Sequence, residues 1–122
     1  MNSDIRCIRY HDLVIAQQSI CGKYGFNFVS ADPDSKLGFA IRTQGQHPVN
    51  GLRHSPEGET NGWYIWCGED YSADSDFFDP LHTTHLVERC AEALQFLGLP
   101  PGCRFLSAED YVDVWFDETL LP

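Results

Sequence analysis

Long apolar runs are missing from this sequence. Nothing in it approaches the ~20 consecutive apolar residues that a membrane-spanning helix requires, so no membrane span and no membrane partner is expected. Its opening, Met-Asn-Ser-Asp-Ile-Arg-Cys, lacks the apolar core of a secretory signal, which sets the expectation of a cytoplasmic protein. Closely spaced cysteine pairs are missing as well. The five cysteines, Cys7, Cys21, Cys67, Cys90 and Cys103, are odd in number and scattered, which argues against a disulfide framework and a zinc ribbon. They read instead as small buried hydrophobes. A glycine-rich phosphate loop is absent too, since "GLPPG" carries two prolines and does not join a strand to a helix.

Basic residues are scarce, and their gaps are long. Between Arg53 and Arg89 there is no Lys or Arg, yet the stretch carries Glu57, Glu59, Glu69, Asp70, Asp74, Asp76, Asp79 and Glu88. After Arg104 the chain again holds no base, and adds Glu109, Asp110, Asp113, Asp117 and Glu118. Thirteen of the eighteen acids therefore fall in two base-free segments, within a formal charge of −10. Such segments repel nucleic acid and anionic membranes, and they speed encounter with a basic protein surface. No basic aromatic patch is present for nucleic acid.

What is present is the composition of a folded domain. The apolar share is 43% and the aromatic share 13% in 122 residues, enough for one domain, 1–122, with a core of its own. Leu13, Ala16, Gln17, Ile20, Cys21 and Tyr24 recur at helical spacing and predict a helix from His11 or Asp12 to about Tyr24, although Leu13–Ala16 also fits a short strand. Alternation predicts strands over 36–43, Trp63–Cys67, Cys103–Leu106 and Tyr111–Phe116. The stretch from Gln44 to Gly62, rich in Gly, Pro and Asn, reads as a long connection. Asp79 as cap and Pro80 at the first position predict a main helix over about 80–97, with Leu86, Val87, Cys90, Ala91, Leu94 and Leu97 as its buried stripe. The expectation is an α+β domain: a small, largely antiparallel sheet of about four strands against one main helix and an N-terminal helix.

Several chemistries can be weighed on these residues. His82 and His85 at i, i+3 could share a metal with His54, Asp76 or Asp79, giving a small metal-dependent hydrolase, but the spacing matches no established zinc signature. Glu57 with Glu59, or Asp74 with Asp76, are spaced as carboxylate pairs, which also abound on acidic surfaces. No histidine is placed beside Cys67 by the sequence. No cofactor is implied. In "GWYIWC", Trp63 and Ile65 face one side of the strand and Tyr64 and Trp66 the other. The plain reading is core on both sides, whereas an exposed Tyr/Trp pair ringed by carboxylates would resemble a protein-binding hot spot.

Three longer stretches carry a resemblance: "NGLRHSPEGETNGWYIWCGEDYSADSDFFDPLHTTHL", "LGLPPGCRFL" and "YVDVWFDETLL". From about Gln17 to Leu121 the chain resembles bacterial immunity proteins of polymorphic toxin, contact-dependent and type VI secretion systems, in particular the immunity family numbered thirty-three. The resemblance implies a stoichiometric inhibitor of a cognate toxin, with no catalytic residues. The loop from Arg53 and His54 through Glu57 and Glu59, and the segment Glu69, Asp70, Asp74, Asp76 and Asp79, are the expected contact surface, with Asp113, Asp117 and Glu118 as a second choice. An adaptor for a protein other than a toxin would carry the same features.

Overall fold

The computed structural model describes residues 10–122. The expectation for Cys7 lies outside them. One six-stranded sheet organises the domain, in the order β4-β1-β3-β2-β5-β6. Its strands are β1 (Lys36–Phe39), β2 (Val49–Arg53), β3 (Thr60–Cys67), β4 (Asp79–His82), β5 (Cys103–Ala108) and β6 (Tyr111–Phe116). Only β1 and β3 run parallel; every other neighbouring pair is antiparallel. The α+β class is as expected, with six strands instead of about four.

The inner face of the sheet holds the main core. Alternation along β3 turns Trp63, Ile65 and Cys67 inward, where they meet Leu37, Phe39, Val49 and Phe105. Above them lie the N-terminal helix α1 (Tyr10–Tyr24) and a 3-10 segment, Ala91–Phe96. The predicted stripe of α1 is its packed face: Gln17 donates to the Leu94 carbonyl at 2.9 Å and Cys21 Sγ to the Gly98 carbonyl at 3.2 Å. Phe96 stacks on Phe105, with ring centroids 4.2 Å apart.

Three departures from the sequence reading are local. The connection 44–62 contains β2, a central strand between β3 and β5. Its middle residue is Gly51 because a Cβ there would overlap the Phe105 ring, and its last inward residue is Arg53, so its pattern does not look like an apolar strand. The main helix over 80–97 is not formed. Asp79–His82 is an edge strand paired with β1, and an edge is where Pro80, lacking an N–H, is tolerated. Asp79 does not cap a helix; its carboxylate accepts from the Ile41 amide at 3.4 Å. The rest is a 3-10 turn Thr83–His85, one α turn α2 (Leu86–Arg89) and the 3-10 segment, broken at Cys90 with φ −158°. Its stripe residues Leu86 and Leu94 are nevertheless buried. The strand expected over 36–43 likewise stops at Phe39 and gives way to a 3-10 turn, Ile41–Thr43.

Candidate partner-binding face

The outer face of the sheet is built from the alternate residues of the same strands. In register across β3, β2, β5 and β6 lie Tyr64, Leu52, Arg104 and Trp115, and beside that row Trp66, Asn50, Leu106 and Asp113. The chain after β3 folds back over this face. Phe77 is buried against Leu52, Ala40 and Trp66 in a second, smaller core, with Tyr64, Phe78 and Leu120 packed at its margin. The rings contact edge to face: Tyr64 and Phe78 at 5.2 Å between centroids, Phe77 and Phe78 at 4.9 Å. Tyr71 lies 5.0 Å from Trp66 and stays exposed. Both sides of the β3 strand are thus mainly core, as its plain reading held, with Tyr64 left half-buried.

Two adjoining depressions open on this face. One, of about 310 Å³, is lined by Leu52, His54, Tyr64, Tyr71, Asp74 and Phe78 among others. The second, of about 470 Å³, is lined by His54, Glu57, Gly62, Tyr64, Leu120 and Pro122 among others. His54 and Tyr64 belong to both and form the ridge between them. That ridge is held by the His54 ring standing edge-on to Tyr64 at 5.5 Å and by His54 Nδ1 donating to the Leu120 carbonyl at 3.0 Å. Gly62, with φ +94°, permits the close pass, because a Cβ there would strike the His54 carbonyl. The cleft therefore offers an apolar, aromatic floor with a carboxylate at each end, Glu57 and Asp74.

The expected contact residues are distributed unevenly around it. His54, Glu57 and Asp74 come together at the depressions. Glu59 lies exposed two residues beyond Glu57, 3.9 Å from Lys36 Nζ. Glu69 and Asp70 are exposed beyond the other end of β3. Asp76 is exposed, its carbonyl accepting from Arg42 at 2.7 Å. Asp113 stands half-buried on the outer face of β6, and Glu118 is exposed in the 3-10 turn Glu118–Leu120. Asp117 caps that turn, accepting from the Thr119 amide at 3.0 Å, and pairs with Arg104 at 3.2 Å. The Thr119 hydroxyl foremost, together with Arg104, holds its carboxyl below the ordinary carboxylate value. Arg53 is the exception. It is 1% exposed, points to the inner core and cannot reach a partner, so its place in the contact loop is corrected.

The metal-ligand set is not assembled either. His82 and His85 have ring centroids 5.6 Å apart at the β4 edge, but His54 belongs to the ridge described above. Among the described residues no group of three His, Cys, Asp or Glu stands close enough to hold a metal ion. One cysteine cluster does form, on the inner side. Cys67 accepts from the Cys90 thiol, which draws its pKa down to about 7, helped by Gly45, Thr43 and the charge of His47. Cys90 is pushed up in turn. His47 also contacts Glu92 at 3.3 Å. Nothing in the sequence points to this grouping, because its members come from three separate segments, 43–47, 67 and 90–92.

Sequence reasoning passed over Tyr71, Phe77, Phe78 and the terminal Leu120–Pro122 as parts of the face. The adjacent Phe77–Phe78 pair in an otherwise polar, acidic stretch was the available signal. Among comparisons with known proteins, the model of the Imm33-like domain family matches residues 16–117. No curated protein and no solved structure matches the chain.

Proposed function

We propose, since the chain belongs to the Imm33-like domain family, that it is an immunity protein which binds a cognate secreted toxin and neutralises it. The family match carries this reading. In it the protein works stoichiometrically in the cytoplasm of the producing cell, through protein–protein contact and without chemistry of its own. The outer face supplies a surface of the right kind. Half-buried aromatics such as Tyr64 can act as anchors, and a carboxylate rim attracts a basic partner from a distance. A net charge of −10 favours a toxin domain that is itself basic.

Two experiments test the reading together. Tagged protein recovered from its native host at moderate salt should carry one dominant partner with a toxin domain. Co-expression should then restore growth to cells that produce that domain. Recovery of no toxin domain, or growth arrest that co-expression leaves untouched, overturns the proposal.

A further inference from the structure

We infer that β6 is a pairing edge: an extended basic segment of the partner adds to the sheet alongside Tyr111–Phe116. The inference rests on the immunity reading for the identity of that partner, and it goes beyond it in naming a strand-to-strand mode of contact.

The two edges of the sheet are built differently. β4 has four residues, one of them Pro80, and both features blunt an edge. β6 has six residues and pairs with β5 without interruption from Cys103↔Phe116 to Ala108↔Tyr111, so no bulge twists it away. It contains no proline and no lysine. Among the described residues β5 is its only neighbour in the sheet, and none of them pairs with the backbone N–H and C=O groups on its far side, which a partner strand can therefore take up.

The side chains of β6 point to the same use. Tyr111, Val112, Trp115 and Phe116 are 58%, 38%, 37% and 48% exposed. They are half of the exposed large apolar side chains among the described residues. Alternation places Tyr111 and Trp115 on the outer face and Val112 and Phe116 on the inner one. A strand laid against this edge would thus find apolar neighbours on both sides. Trp115 is braced for such contact, with the Arg104 guanidinium 5.7 Å from its ring centroid.

Charge decides the occupant. Glu109, Asp110, Asp113, Asp117 and Glu118 lie along or beside the strand, and no Lys or Arg follows Arg104. A second copy pairing edge to edge would bring these acids against their own kind, which is unfavourable. A partner segment with Lys or Arg between apolar residues would meet them with opposite charge.

Deuterium exchange of the protein free and bound to its toxin domain tests the inference. Slowed exchange at Tyr111–Phe116 in the complex is the expected result. Val112→Pro, which removes an edge amide, and Val112→Lys, which keeps it but adds a charged side chain, should each weaken Kd about tenfold or more with an unchanged melting temperature. Toxin binding with unaltered exchange in β6 overturns the pairing edge and leaves the immunity reading standing. If no toxin binds, the immunity reading fails, and a synthetic peptide of alternating Lys and Val decides the edge by NMR. Shifts confined to β6 support it; no shift, or an equal response to a Glu/Val peptide, overturns it. A dimer of the purified protein formed through β6 overturns it as well.

Discussion

Arg53 lies over Trp63 in the interior, its guanidinium carbon 5.7 Å from the ring centroid. Both side chains are almost wholly buried. Arg53 donates to the carbonyls of Asn61 at 3.0 Å, Val29 at 2.7 Å, Leu99 at 2.7 Å, Ser30 at 3.2 Å and Leu97 at 3.4 Å. Trp63 Nε1 donates to that same Leu97 carbonyl at 3.0 Å. Together they tie the loop after α1 and the turn before β5 to the centre of the sheet. Burial draws the Arg53 pKa down to about 10, which leaves it charged at neutral pH.

Removing either member should therefore damage stability, not recognition. Arg53→Ala strands several buried carbonyls, each worth about 1–3 kcal/mol when left unsatisfied, and should cost about 3 kcal/mol or more in urea unfolding. Trp63→Ala should cost about 3–5 kcal/mol through its cavity. A fully stable Arg53→Ala protein that had lost only toxin binding would contradict the buried role.

The cleft carboxylates should behave in the opposite way. Glu57 and Asp74 line the depressions and Glu57 is exposed. Glu57→Lys with Asp74→Lys should slow toxin association about tenfold or more at low salt, with the melting temperature unmoved. The difference from wild type should shrink as salt rises, because screening shortens the reach of these charges. Stopped-flow association across a salt series reads both effects. Rates that do not change would place the contact elsewhere.

Gly51 offers a test of the core that involves no charge. A Cβ at this position would overlap the Phe105 ring, which is itself stacked on Phe96. Gly51→Ala should destabilise the domain by about 1–3 kcal/mol, the usual cost of overpacking. Phe105→Leu in the same chain should recover part of that loss by opening room. If Gly51→Ala is neutral, the Phe105 ring is free to move and the inner core is looser than its geometry implies.

These positions also explain how much was legible in the sequence. Simple periodicity found α1 from its packed stripe, and the body of β3 and β6 from their runs of aromatic and β-branched residues. It passed over β2, where the inward residues are Val49, Gly51 and Arg53. A glycine that makes room for a ring and an arginine that binds carbonyls do not register as apolar. The Asp79–Pro80 pair fits a helix start locally, and pairing with β1 overrode that preference. At the face, the acidic loops could be read as a surface. The ridge of His54 and Tyr64 could not, since it depends on Gly62 and on Leu120, far away in the chain.

Cys67 carries the last prediction. Its thiolate is favoured chiefly by the Cys90 thiol, then by Gly45, Thr43 and His47, and it titrates at about 7. Cys21 is raised by burial, and Cys103 is raised to about 11, so both ionise well above Cys67. Thiolate absorbance in the ultraviolet, followed in a Cys7→Ser background, should show a first step near 7 with the amplitude of one thiol. Cys90→Ala removes the donor to the charged form, so that step should move upward, toward the ordinary value of 9.0. A first step that stays near 7 in Cys90→Ala would assign the stabilisation to Thr43 and Gly45 instead.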